Sequence, residues 1–339
     1  MPDPRLKTYA PQAVRHLAHA GGVLANRQVA SGPLRGNVPP WPGADDADFH
    51  GTLAAIWIWV RHQRLSGAPR FEAARFAAWS FIEEAAPRFI PDALHSAAGH
   101  EAAYDCALAL MAAAAEQELG APVASRQAVA ERAARVLATY VGALEDVTGR
   151  EFRDPGFLAY VLLDYARVVK DRGLAASGRK FVERAFGMKA PAPFASEPAA
   201  AGGLFDFSST TATRILAVMA AEGNTPFVGA WLRERVAAGA PPGFVARRRE
   251  ENTWNACVAW ALGRAYVLST DPAFLHAYSG VMDELERRDT DRDGAISRDR
   301  TVRAPETAAT FYYALAVDAL VTPESAAAAA SEAGTTGAA

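Results

Sequence analysis

The sequence predicts an all-α fold in which about six helical hairpins close into a ring with an inner and an outer layer of helices. The clearest indication is the run from His50 to Leu65, HGTLAAIWIWVRHQRL, which leaves no polar face and so has to be enclosed by other protein. Comparable apolar runs recur about every 50 residues, as in helical-hairpin repeats. No stretch shows the sustained alternation of apolar and polar residues that indicates β-strands.

Two kinds of predicted helix alternate after an N-terminal amphipathic helix over Pro11–Gln28 and a loop rich in Pro and Gly. In that loop Trp41 stands among three prolines and is either a lid or a plug on one end of the core. The apolar helices, assigned to the inner layer, are His50–Leu65, Glu101–Ala115, Gly156–Val169, Ser209–Ala221, Asn255–Leu268 and Thr307–Leu320. The amphipathic helices, assigned to the outer layer, are Phe71–Ala85, Gln127–Glu145, Ala175–Phe186, Phe227–Ala238 and Pro272–Arg287.

A turn motif that ends in proline and then phenylalanine supports the repeat. It reads SGAPRF at 66–71, EGNTPF at 222–227 and STDPAF at 269–274, each time after an apolar helix. Proline suits the first position of a helix because its missing N–H has no partner there. An open solenoid would leave one face of each apolar helix exposed, so the pattern favours a closed ring.

Composition places the chain among globular proteins, with half of its 339 residues hydrophobic and 22% charged. The net charge of −3 gives no overall attraction to nucleic acid or to acidic membranes. We expect a single ring domain over residues 1–322 and a low-complexity, disordered tail over 323–339.

The first residues, MPDPRLKTYAPQ, lack the apolar core of a signal peptide, and the most apolar run is too short to span a bilayer. This predicts a cytoplasmic protein, or an exported one whose signal has been removed. Cys106 and Cys257 lie in apolar surroundings, which indicates buried free thiols unless their helices are neighbours close enough for a disulfide.

The hairpin period, with the phrases NTWN at 252–255 and PETA at 305–308, resembles the α/α toroid proteins over roughly residues 10–320. These are the terpenoid cyclases and protein prenyltransferases, and the (α/α)6 glycoside hydrolases and polysaccharide lyases. The Asp-x-Asp-Asp motif of class II terpene cyclases and the Gln- and Trp-containing repeats of squalene-type cyclases are absent. Asp105 and Cys106 do not match the zinc ligands of prenyltransferases, because adjacent helical residues point about 100° apart. The resemblance therefore implies a closed α/α toroid and leaves its chemistry open.

In a toroid the inner helices run parallel, so their N-terminal ends gather at one mouth and their polar residues converge on one pocket. The polar residues at this position are Asp48 and His50; His100, Glu101, Tyr104 and Asp105; Asp154; Asp206, Ser208 and Ser209; Asn252, Trp254 and Asn255; and Glu306 and Thr307. Several fit ordinary helix caps, above all Asp154, Asp206 and the serines. His50 and the group from His100 to Asp105 are less easily explained in this way, although a buried, hydrogen-bonded histidine is an alternative for each.

These residues provide the candidates for catalysis and binding. The candidate catalytic residues are Asp48, His50, His100, Tyr104 and Asp105, and the candidate substrate-binding residues are Trp41, Asn252, Trp254, Asn255 and Glu306. A glycoside hydrolase needs two carboxylates across the pocket, for which Asp48 and Asp105 are the candidates. A uronate lyase needs a base such as His50 or His100, a group that neutralises the uronate carboxylate, such as Asn252 with Asn255, and an acid such as Tyr104.

One loop matches a calcium-binding pattern. Residues 289–300, DTDRDGAISRDR, resemble an EF-hand loop, with alternating carboxylates at Asp289, Asp291 and Asp293, a glycine for the sharp turn, and the carbonyl of Ala295 as the next ligand. Arg300 stands where the bidentate acid belongs, and Asp299 is one position early. The alternative is a solvated acidic turn.

The leading hypothesis is an enzyme whose mouth pocket handles a carbohydrate-like ligand, with a uronate-containing one among the options, by acid–base chemistry and with Ca²⁺ as a structural ion. The alternatives are a terpenoid cyclase-like or prenyltransferase-like protein with an apolar cavity, and a calcium-stabilised binding or scaffold domain. The expected partner is a small molecule or an oligosaccharide, with no nucleic acid and no membrane span.

Overall fold

The computed structural model describes residues 6–92, 94, 100–120, 123–143, 155–186, 209–222, 251–299 and 304–322. Within these ranges the chain forms eleven α-helices and no strand, with extended pairing limited to the isolated bridges Glu251–Asp299 and Ser297–Pro305. The all-α prediction is confirmed. The predicted outer helix Phe227–Ala238 and the tail at 323–339 lie outside the described residues.

Six of the helices form an inner ring and five lie outside it. The inner helices are α2 (Phe49–Ser66), α4 (His100–Leu119), α6 (Pro155–Val169), α8 (Ser209–Glu222), α9 (Asn252–Ser269) and α11 (Thr307–Asp318). The outer helices are α1 (Leu6–Arg27), α3 (Glu72–Phe89), α5 (Ala124–Ala143), α7 (Arg172–Phe186) and α10 (Pro272–Arg288). Each inner helix packs against the next one along the chain, and α11 packs against α2. The ring is therefore closed, as the sequence predicts.

Helix α2 shows why an apolar run becomes an inner helix. Asp48 caps its start by accepting a hydrogen bond from the Gly51 amide at 2.7 Å, and Gly67 ends it in the left-handed region at φ 70°. Between these caps every residue from Gly51 to His62 is buried. Burying nearly the whole circumference requires neighbours on both sides, which α4 and α11 supply within the ring.

Helix α1 packs against both α2 and α11 and ties the N-terminal part of the chain to the ring. Trp59 on α2 donates its indole N–H to the Gly21 carbonyl on α1 at 2.9 Å. A Cβ on Gly21 would lie 2.8 Å from the ring of Phe71 and 3.1 Å from that of Trp59, so a side chain there would have to displace these rings. The thiols of Cys106 and Cys257 are buried and are not joined in a disulfide. Of the described helices, none is long and apolar enough to cross a membrane.

His16 on α1 makes the fold sensitive to acid. Its ring meets Tyr313 of α11 edge-on at 4.4 Å, and its Nε2 is enclosed without a hydrogen-bond partner. Burial, followed by the nearby charge of His19, lowers the pKa of His16 from 6.5 to about 3. The pKa of His16 is lower in the folded than in the unfolded state. The neutral His16 ring therefore contributes its full stability above pH 6.5, and this contribution is lost as the pH falls towards 3.

The free energy of unfolding should fall as the pH is lowered from 6.5 to 4. We expect His16→Phe to make this fall less steep, by up to about 1.4 kcal/mol per pH unit. Urea denaturation at a series of pH values measures this slope. The exposed His276 on α10 provides the matched control, since His276→Gln should leave the slope as it is. Equal slopes for wild type and His16→Phe would contradict the prediction.

Candidate active site

A cavity of about 430 Å³ opens at the mouth where the inner helices begin. Its walls are formed by Ala47, Asp48, Phe49, His50, Phe89, Glu101, Tyr104, Asp105, Trp254 and Tyr312. These residues come from the starts of α2, α4 and α9, from α11, and from the last turn of the outer helix α3. The geometry thus brings Asp48, His50, Tyr104, Asp105 and Trp254 to one pocket.

An acid–histidine pair lies in this wall. The Nδ1 atom of His50 lies 3.6 Å from Oδ1 of Asp105, and their side chains are 30% and 13% exposed. His50 lies in the first turn of α2, and Asp105 is one turn further into α4. The pair therefore joins two neighbouring inner helices at the lip of the cavity, within reach of a ligand.

Two further carboxylates near the pair hold protons more tightly than usual. Burial raises the pKa of Asp48, the hydrogen bond from the Gly51 amide opposes this rise, and the charge of Asp105 adds to it. Burial also raises the pKa of Glu306, which lies close enough to Asp48 and His50 for their charges to interact. A carboxyl group that keeps its proton at higher pH is suited to act as a general acid.

Aromatic rings form the apolar part of the walls. Tyr104 stacks on Phe157 with centroids 5.5 Å apart, and Phe157 in turn contacts Tyr312 at 6.2 Å. Phe49 stacks on Phe89 at 4.9 Å. Rigid apolar walls with a few polar groups are the usual make-up of a small-ligand site.

Other candidates from the sequence lie elsewhere or are engaged by the protein. Asn252 is buried, and its amide donates to the Ser297 carbonyl at 2.9 Å while accepting from Arg288 at 2.8 Å. Asn255 is buried too and donates to the Glu251 carbonyl at 2.6 Å. Trp41 is 53% exposed, which is more than a core plug would be, and it is not part of the cavity wall.

His100 begins α4, but its side chain lies outside the described part of the chain. The substrate-binding roles of Asn252, Asn255, Glu306 and Trp41 stay predictions. The sequence analysis missed Phe89, because an aromatic residue late in an outer helix is indistinguishable from an ordinary core anchor.

Three aspartates of the loop after α10 can hold a metal ion. Asp289, Asp291 and Asp293 each place a carboxylate oxygen within 4.8 Å of the others, and we call this group the aspartate triad. Asp289 is 7% exposed, its Oδ1 has no hydrogen-bond partner, and its Oδ2 accepts from the Gly294 amide at 3.3 Å. Burial and then the charge of Asp293 raise the pKa of Asp289 to about 6.

The residues that follow the triad form the turn of the predicted calcium loop, and the structure does not bring all of them to the three carboxylates. Gly294 has φ 76°, as a sharp turn requires, and the following Ala295 is buried and donates its amide to Asp293 at 2.8 Å. Asp299 does not belong to the triad. Its carbonyl accepts from the hydroxyl of Ser297 at 2.8 Å.

A second cavity, of about 190 Å³, lies between the C-terminal halves of the inner helices. Its charged groups mostly pair with one another: Arg61 with Asp318 at 2.7 Å, Arg167 with Asp164 at 2.8 Å, and Arg64 with Glu118. Arginines near helix C-termini offset the partial negative charge there. The charged groups at this end of the ring are therefore explained by their structural pairing. The larger cavity, at the other end, is the better candidate site.

Comparison with known proteins supports the architecture. No family model and no curated protein matches the sequence. Among solved structures, an alpha-1,6-mannanase, GH76A of Salegentibacter sp. HEL1_6, matches with a TM-score of 0.61 and 9% identity over 91% of this chain and 99% of that one. The fold is an α/α toroid. The resemblance to (α/α)6 glycosidase barrels is thereby confirmed for the fold.

The matched structure is an inactive variant of the mannanase, with two adjacent aspartates changed to asparagine, in complex with alpha-1,6-mannotriose. The only adjacent aspartates in the present sequence are Asp45 and Asp46. They precede Ala47 and Asp48 in the loop before α2 and are not among the residues that line the cavity.

Proposed function

We propose that the protein is a glycoside hydrolase that cleaves an oligosaccharide in the cavity at the N-terminal mouth of the ring. The main support is the cavity itself, which combines Asp48, the His50–Asp105 pair and aromatic walls. A toroid of the same architecture binds alpha-1,6-mannotriose in the matched mannanase, which makes a carbohydrate the first ligand to test.

In the proposed reaction Asp48 is the general acid and Asp105 the second carboxylate. Asp48, whose pKa is raised by burial, gives its proton to the glycosidic oxygen as the bond from that oxygen to the anomeric carbon breaks. Asp105 either takes a proton from the water that attacks the anomeric carbon or attacks that carbon itself before water releases the sugar. His50 orients the Asp105 carboxylate from 3.6 Å.

The aromatic walls give the proposed site a way to hold a sugar ring. Tyr104, Trp254 and Tyr312 offer apolar surface, while the His50–Asp105 pair offers hydrogen-bonding groups. An apolar ligand such as a terpenoid would displace water from these groups and offer them no hydrogen bonds, at a cost of about 1–3 kcal/mol for each polar atom left unsatisfied. This favours the carbohydrate over the terpenoid alternative.

A uronate lyase is a second candidate, because His50 and Tyr104 line the same cavity and can act as base and acid. The products separate the two reactions. A hydrolase releases saturated sugars with new reducing ends, whereas a lyase leaves a conjugated double bond that absorbs ultraviolet light. We expect reducing ends without this absorbance when the protein is incubated with α-1,6-linked mannan. Ultraviolet absorbance from a polyuronate would instead favour the lyase, and release of neither product from a panel of glycans would reject both.

We also propose that calcium is the ion of the aspartate triad and that it is structural. Alternating carboxylates followed by a glycine and a carbonyl form a hard oxygen shell of the kind that Ca²⁺ prefers. None of the three aspartates lines the cavity, so a direct part of the ion in catalysis is not proposed.

Calcium should raise the melting temperature of the wild type but not that of Asp291→Ala. The reason is that an ion bound only by the folded state stabilises it by mass action, and the substitution removes a ligand. Differential scanning calorimetry with calcium and with chelator measures both shifts. If calcium shifts the melting temperature of wild type and variant equally, calcium does not bind at the triad.

A further inference from the structure

The loop that begins with the aspartate triad is joined by backbone hydrogen bonds to two helices of the cavity wall. Three to five residues after Asp293, the carbonyl of Ile296 accepts from the Glu306 amide at 3.1 Å, and that of Arg298 accepts from the Asn252 amide at 2.8 Å. Glu306 is the N-cap of α11, and Asn252 is the first residue of α9. These two helices carry Tyr312 and Trp254, respectively, into the cavity.

At the starts of α9 and α11, loop carbonyls take the part that a capping side chain takes in α2. A helix begins with amides that have no partner within the helix and usually bind a capping side chain. In α2 this cap is Asp48. The N-cap residues of α9 and α11, Glu251 and Glu306, form no side-chain cap hydrogen bond. The starts of α9 and α11 therefore depend on segment 296–298 to satisfy an amide each.

Contacts on its other sides fix the loop between α1 and α9. A Cβ on Gly294 would lie 3.1 Å from the His16 carbonyl and 3.2 Å from the Ala20 amide nitrogen of α1, so the backbones are in close contact. Arg288, directly before the triad, donates to the Asn252 side chain at 2.8 Å. A change of loop conformation is therefore transmitted to the start of α9 without an intervening flexible segment.

The triad concentrates negative charge in one short loop. Three carboxylates within 4.8 Å repel one another, and the buried Asp289 keeps one oxygen without a hydrogen-bond partner. An unsatisfied buried polar group is costly, and a buried charge is costlier unless it is paired or coordinates a metal. A divalent cation would satisfy the free oxygen and remove the repulsion at once.

From these contacts we infer that the triad is a divalent-cation site whose occupancy fixes segment 295–299 and, through it, the starts of α9 and α11 in the cavity wall. Asn252 is the positioning residue of this link, since its backbone amide and its side chain both bind the segment. The inference rests on the proposed calcium site, and its relevance to catalysis rests on the proposed hydrolase.

Hydrogen–deuterium exchange tests the link without any substrate. With saturating calcium, the amides of Asn252 and Glu306 should exchange about tenfold more slowly than in chelator, because a fixed acceptor suppresses local opening. The Gly51 amide, which Asp48 caps, should show no calcium effect. Asn252→Ala should still bind calcium but show a smaller effect at its own amide.

Two variants that each remove one aspartate charge, one inside the triad and one on the helix before it, separate the site from a general effect of charge. Asp291→Asn should abolish the calcium effect, and Asp283→Asn, at an exposed site on α10, should retain it. Calcium binding by titration calorimetry without a change in exchange would overturn the link while leaving the calcium site. Absence of calcium binding would overturn both, and neither result bears on the proposed hydrolase.

Discussion

Asp105→Asn is expected to reduce glycoside hydrolysis by about 10²- to 10⁴-fold, the range that one acid–base group contributes. The substitution keeps the shape of the side chain, and the amide oxygen can take the place of the carboxylate oxygen that lies 3.6 Å from Nδ1 of His50. An amide cannot take up the proton of the attacking water or attack the anomeric carbon. The loss should therefore appear in kcat, while affinity for a ligand such as alpha-1,6-mannotriose is largely retained. Steady-state kinetics and titration calorimetry measure these two quantities.

Glu101→Gln is the matched control for this prediction. Glu101 lies one turn before Asp105 on α4, lines the same cavity, and is more exposed. If Asp105 acts through its own carboxylate, Glu101→Gln should change kcat by no more than about threefold, the effect of a small change in local charge. Full activity of Asp105→Asn, or a larger loss in Glu101→Gln, would refute the assignment of Asp105.

The architecture was accessible from sequence because it follows from local patterns. An inner helix such as α2 can be recognised in the sequence because apolar residues cover all of its sides. The regular repeat of such helices implies that they run parallel and begin at the same mouth of the ring. The convergence of Asp48, His50 and Asp105 on one cavity follows from this geometry alone. The sequence could not indicate how close His50 and Asp105 come, because their separation depends on the packing of α2 against α4.

Contacts between distant parts of the chain account for what the sequence could not reveal. Asn252 looks like a pocket residue by its position, yet its amide binds Ser297, 45 residues away, and Arg288. In the predicted calcium loop, the spacing of Asp289, Asp291 and Asp293 is local and can be read from the sequence. The binding of that loop to Glu306 and to α1 depends on the closed ring.

Glu116→Gln is expected to destabilise the protein by about 3–5 kcal/mol, as is typical when one partner of a buried ion pair is removed. Glu116 on α4 is 3% exposed, and its Oε1 accepts from the Trp79 indole at 2.8 Å and from Arg126 at 3.1 Å. Arg75 lies 3.6 Å from the same oxygen and is equally buried. The three partners come from α3 and α5, so this one carboxylate joins both outer helices to the inner ring.

The size of the effect follows from what remains after the substitution. A neutral amide would remove the buried negative charge that Arg75 and Arg126 share, and nitrogen atoms of both already lack hydrogen-bond partners. Urea denaturation should show a lower midpoint with an unchanged slope. Glu72→Gln is the control, because Glu72 lies 3.9 Å from Arg75 but is 50% exposed, and such a pair contributes about 0–1 kcal/mol. Equal midpoints for Glu116→Gln and Glu72→Gln would mean that the two arginines find other partners or water once the charge is gone.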